Sequence, residues 1–243
     1  MVVYLKSNII YICIMTYKNL LIIFVTAIAF FTSCNLINDE VHLKELVEEN
    51  GFYYFNGKPF NGKGIEMWDV KQLKKEVLIR NGTKNGFEKT WYKNGKLEIE
   101  VTWKDGKEDG VSKTWHENGQ QLSEITCKDG VLEGVSKTWH INGQLEEEGT
   151  FANGFKNGIW KVWYNKGQLM SEVNFKDGVL EGVSKTWHEN GQLKEEGSFK
   201  HDIPDGLWKK WYENGQLEEE VTWKDGIRFG VTKSWDKNGQ QLD

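Results

Sequence analysis

Glycine recurs at positions 62, 86, 110, 134, 158, 182, 206 and 230, always 24 residues apart. A fixed period of this length marks a repeat architecture, in which each unit packs on its neighbours and cannot bury its own surface alone. The phrase GVSKTWHENGQ stands at 110–120 and again at 182–192, and GVSKTWHINGQ stands at 134–144. Seven full units run from 62 to 229, and a half unit follows. Upstream, GFYYFNGKPF at 51–60 reads as the second half of a preceding unit.

Within a unit the turn residues come twice. Asn-Gly falls at 94–95, 118–119, 142–143, 190–191, 214–215 and 238–239, with Lys166-Gly167 as the variant. This dipeptide predicts a two-residue type I′ hairpin, because both turn positions need positive φ. A second, looser turn is expected at the KDG or ANG triplets ending in Gly82, Gly106, Gly130, Gly154, Gly178 and Gly226, with Asp202 in the one departing copy. The 13% aromatic content and the 26 glycines agree with strands and turns. The fold class is therefore all-β: an elongated, twisted antiparallel meander of 24-residue β-hairpins. About fifteen strands at ~4.8 Å spacing make a ribbon roughly 70 Å long, and a sheet that long must twist or coil.

The pairing register follows from charge. Two-residue turns place Lys89 opposite Glu100, Lys113 opposite Glu124, Lys137 opposite Glu148, Lys161 opposite Glu172, Lys185 opposite Glu196, and Lys209 opposite Glu220. Each facing pair stabilises its hairpin by roughly 0.2–1 kcal/mol. A three-residue loop shifts every partner by one and breaks all six pairs. The same register puts Trp160, Val162, Tyr164, Leu169, Val173 and Phe175 on one face. Ile159, Lys161, Trp163, Met170 and Glu172 fall on the other. Trp91, Trp115, Trp139, Trp163, Trp187, Trp211 and Trp235 form a column expected to stack beside the charges, where Lys stems shield the rings. This column is the candidate interaction ladder.

The first 33 residues carry Lys6 and Lys18 and no acid, so the remainder holds 29 basic and 36 acidic residues. A body with net charge −7 argues against nucleic acid as a partner and against electrostatic docking on anionic lipid. Residues 1–33 read as a signal peptide: Met15 as a second possible start, Lys18, an apolar run from Leu20 to Phe31, then Thr32-Ser33 before Cys34. They resemble a bacterial lipoprotein signal, in which Cys34 would be freed and acylated. A lipid-anchored protein of the cell envelope, at the outer membrane, is the expectation; a single N-terminal membrane-spanning anchor is the alternative. Residues 34–50 are expected to form a tether, or a short helix with Leu43, Leu46 and Val47 on one side, leading into a repeat domain at 51–243. With Cys13 in the leader and Cys34 lipidated, Cys127 stands alone as a buried thiol at a position otherwise held by Trp or Phe.

No residue set calls for catalysis, a metal or a cofactor. His116, His140 and His188 share one repeat position with Tyr92, Tyr164 and Tyr212, which points to an aromatic ring with a polar tip. Equivalent positions two strands apart stand ~9–10 Å from one another, too far to share a zinc ion. The Glu runs at 146–148 and 218–220 belong to the repeat, whereas a paired-carboxylate mechanism needs one unique site.

The pattern G-x-x-K-x-W-[HY]-x-N-G-Q-L followed by E-x-x-[FW]-K-[DN]-G resembles the variant MORN repeat of bacterial proteins, including a YwqK-like antitoxin grouping. The resemblance covers about 50–243 and implies a hairpin-repeat fold used for scaffolding, protein contacts or lipid contact, with no catalytic residue to carry over. Three functions follow as expectations: a protein-interaction scaffold on the envelope, a glycan or cell-wall binder using the Trp ladder, and an antitoxin or immunity protein. A glycan binder should leave its Trp rings exposed.

Overall fold

Strands and turns fill the computed structural model, which describes residues 40–242. No α-helix occurs among them; a single 3-10 turn spans Leu43–Glu45. One sheet of 19 strand segments runs through these residues. Each unit supplies two strands, as in Val131–Trp139 and Leu145–Ala152, whose β-branched and aromatic residues, such as Val135, Thr138, Trp139, Thr150 and Phe151, suit extended backbone. Consecutive strands pair antiparallel, as Val131–Trp139 does with its neighbours on both sides. Only the segment Glu40–His42 pairs parallel, alongside Lys63–Ile65.

The two turns exchange the roles expected of them. The two-residue turn with positive φ at both positions is Asp129-Gly130, at φ 50° and 84°, closed by the pair Lys128–Val131. Asn81-Gly82, Asp105-Gly106, Asn153-Gly154, Asp177-Gly178 and Asp225-Gly226 share this conformation, as does His201-Asp202. The Asn-Gly turn is longer. Gly143 has φ 85° while Asn142 stays at negative φ, and the N–H of Gly143 donates to the His140 carbonyl. His140 N–H in turn bonds the Gln144 carbonyl. This is a three-residue loop, a type I turn ended by a left-handed glycine.

Asn142 has a reason to avoid the type I′ conformation. Its Oδ1 accepts from Gln144 N–H at 3.0 Å, and its Nδ2 donates to the Asn165 carbonyl of the next unit. Asn94, Asn190 and Asn214 bond in the same way. One side chain thus closes its own turn and ties it to the turn one unit on.

The three-residue loop leaves the six Lys–Glu pairs intact, contrary to the expectation that it would break them. Trp139 faces Leu145 but Thr138 faces Glu147, so Glu146 bulges out and restores the original register. A second irregularity lies near the tight turn, where Cys127 faces Leu132 while Ile125 faces Ser136. The glycine that marks the period belongs here, in neither turn: Gly134 takes φ 94° within this bulge. The period therefore encodes two turns and two bulges.

Residues 40–60 cap the first units. The short strands Val47–Glu49, Phe52–Phe55 and Lys58–Pro59 form a separate three-stranded sheet. Leu46, Phe60, Val77 and Ile79 make the buried cluster, with Val41, Leu43, Tyr53 and Phe55 packed against it. Of the expected tether or short helix at 34–50, the described part holds the 3-10 turn Leu43–Glu45 between the strands Glu40–His42 and Val47–Glu49. The segment 51–60 keeps one link of a repeat unit, the bond from Gly82 N–H to the Phe60 carbonyl, but its strands belong to the cap.

Candidate interaction surface

The two faces of the long sheet differ. One buries Trp160 to 2% exposure and also holds Ser136, Ser184 and Cys127. Its rings meet edge-on: Phe151 with Trp160 at 5.0 Å, Trp160 with Phe175 at 6.4 Å, and Phe199 with Trp208 at 5.1 Å. We refer to it as the covered face and to the other as the open face.

The open face carries the Lys–Glu ladder. Lys89–Glu100, Lys113–Glu124, Lys137–Glu148, Lys161–Glu172, Lys185–Glu196 and Lys209–Glu220 are opposed in the hairpins at 2.9, 3.1, 2.9, 3.2, 3.1 and 3.6 Å. Between hairpins the bulge brings Glu124 opposite Lys137, and likewise Glu76–Lys89, Glu100–Lys113, Glu148–Lys161, Glu172–Lys185, Glu196–Lys209 and Glu220–Lys233. Acid and base therefore alternate from Glu76 to Lys233 without interruption. The field reaches both neighbours. Burial alone would raise the Glu124 carboxyl, but hydrogen bonds from Lys113 and Gln121 and the charges of Lys113 and Lys137 hold it below its ordinary value. The hydrogen bond to Glu148 raises Lys137, and Glu124 adds to the shift from the other side.

Beside this ladder runs a row that periodicity alone did not single out. Phe87, Val111, Val135, Ile159, Val183, Leu207 and Val231 lie two residues before each ladder lysine and are 38% to 85% exposed. An apolar row of this length on an otherwise charged face is unusual for a surface that meets only water. The signal was present in the sequence, as the residue after each period glycine from Gly86 to Gly230 is apolar, while Lys63 follows Gly62.

The seven Trp of the expected ladder lie on the open face at the far side of the charges and are half-buried. Trp91, Trp139, Trp163, Trp187 and Trp211 each face a Leu across the hairpin. They do not stack on one another, since the ring pairs found among the described residues lie elsewhere. Units two strands apart are separated by ~9–10 Å, beyond the ~4.5–7 Å range of paired rings. Their backbone instead serves as an anchor. Tyr92, Tyr164 and Tyr212 hydroxyls donate to the carbonyls of Trp115, Trp187 and Trp235 at 2.7, 2.8 and 2.9 Å. His140 and His188 Nε2–H donate to the carbonyls of Trp163 and Trp211 at 3.0 and 2.9 Å. The His–Tyr interchange thus preserves a polar tip of the right reach; His116 Nε2 lacks such a partner.

Among the described residues no cluster of His, Cys, Asp or Glu is arranged to hold a metal. Cys127 is buried, and burial together with the Glu108 carboxylate pushes its thiol up, away from the reactive thiolate. Cys34 and the signal segment lie outside the described residues. No helix among the described residues is long and apolar enough to cross a membrane.

Together these features define a class: a hairpin-repeat protein whose long sheet presents one patterned face. Six successive stretches, 84–105, 108–129, 132–153, 156–177, 180–201 and 204–225, match the MORN repeat variant. They cover more than half of the chain, and the chain belongs to that family. Repeats of this kind are generally modules for contact with proteins or membranes and are typically non-enzymatic. The match carries the repeat and not the YwqK-like grouping. No curated protein matches the chain.

Proposed function

We propose that the protein is a non-enzymatic interaction scaffold, held at the bacterial cell envelope by a lipid on Cys34, whose open face receives a protein partner. The supporting observation is the apolar row from Phe87 to Val231 beside the alternating ladder. Water solvates such a row poorly, and repetition offers breadth in place of a single pocket. The half-buried Trp column offers less free ring face than stacking on sugars requires.

One experiment in two arms tests both parts. Labelled palmitate should enter the wild-type chain and not Cys34→Ala; label in both variants refutes the anchor. A photo-crosslinking residue in place of Val183, on the open face, should capture a protein in intact cells. The same residue in place of Leu180, on the covered face, should capture none. Equal capture from both faces refutes the assignment of the open face.

A further inference from the structure

We propose that the occupant of the open face is the same face of a second copy, turned end for end. This rests on the scaffold reading above and names its partner. The alternating ladder is complementary to itself in only one of the two ways of laying the face on a copy. A two-fold axis running along the ladder sets every lysine against the partner's identical lysine. An axis parallel to the strands, between Glu148 and Lys161, reverses the strand order. Glu148 then meets the partner's Lys161, Lys137 the partner's Glu172, and Glu124 the partner's Lys185.

The apolar row fits under the same operation. Ile159 falls opposite the partner's Thr150, Val183 opposite the partner's Thr126, and Val135 opposite the partner's Asn174, so each bulky residue meets a small polar one between two bulky neighbours. Packed sheets cross at roughly 30°, which confines the match to these central strands. Net charge favours the same orientation. Residues 40–107 hold 13 basic and 11 acidic residues, a net +2, and 108–243 hold 16 and 24, a net −8. An end-for-end pair lays the basic part of one copy toward the acidic part of the other, which favours encounter in this sense.

The full chain in mild detergent should sediment with twice the monomer mass at tens of micromolar. The double variant Ile159→Asp, Val183→Asp should sediment as a monomer with an unchanged circular dichroism spectrum, because both side chains are 54% exposed and support no core. Spin labels carried on a non-natural residue fix the geometry. With strands ~4.8 Å apart and sheets ~10 Å apart, labels at 159 should lie within about 20 Å of each other and labels at 207 about 45 Å apart. A wild-type monomer, a dimer indifferent to the double variant, or a short distance at 207 overturns the proposal. A monomer whose Val183 crosslinker still captures another protein overturns it while leaving the scaffold reading intact, whereas a monomer with no capture defeats both.

Discussion

Gly149→Val should lower the unfolding free energy by about 3 kcal/mol, the upper end for overpacking, and Trp160→Ser in the same chain should restore much of the loss. A Cβ on Gly149 would sit 2.1 Å from the Trp160 ring, and Gly197 stands in the same relation to Trp208. Trp160 is 2% exposed, with Phe151 and Phe175 edge-on to it, so the ring has nowhere to retreat. Other units divide the same volume differently, with Ile125 facing Ser136 and Val173 facing Ser184. The double variant recreates that division. Trp160→Ser alone should also destabilise, by roughly 3 kcal/mol from lost packing. Urea unfolding of the four chains closes the cycle. Simple addition of the two losses would show that the positions do not share space.

Glu88→Gln should be the second large loss, about 3 kcal/mol at neutral pH, because it leaves two lysines without their shared partner. Glu88 sits on the covered face between Lys75 and Lys84, at 2.6 Å from each, with its side chain 12% exposed. Burial by itself would raise the carboxyl; the hydrogen bonds and charges of both lysines outweigh it and hold the group below its ordinary 4.5. A depressed folded-state pKa stabilises at pH above the unfolded value and loses that contribution as pH falls through the folded value. The gap between wild type and Glu88→Gln should therefore be full at pH 7 and shrink steadily below about pH 4.5. A gap of equal size at pH 7 and pH 2 would show that shape, not charge, accounts for the loss.

The hairpin repeat was legible because a period shows which residues share a place in each unit. Opposed Lys and Glu columns then located the pairing. The turn was not legible, since Asn-Gly serves both a two-residue loop and a three-residue loop ended by glycine. Cross-strand arithmetic sees only the sum: one extra loop residue and one bulged residue, Glu146, cancel in it. The same blindness hid the continuous ladder. An unbulged tight turn would set Glu124 against Val135, and only the bulge at Gly134 brings it to Lys137. The cap at 40–60 has no counterpart later in the chain, so no repetition exposed it. Gly149 and Trp160 were readable as paired exceptions, but only when two columns are compared together.

The charge ladder and the faces of the sheet depend on a register in which loop and bulge cancel within each unit. Cross-strand nuclear Overhauser contacts in the hairpin 131–152 measure it directly. The backbone of Lys137 should contact that of Glu148, and Thr138 that of Glu147, while Trp139 contacts Leu145. Contacts from Lys137 to Glu147 and from Thr138 to Glu146 would mean that no bulge forms. The ladder, the apolar row beside it and the paired copies would then lose their common basis.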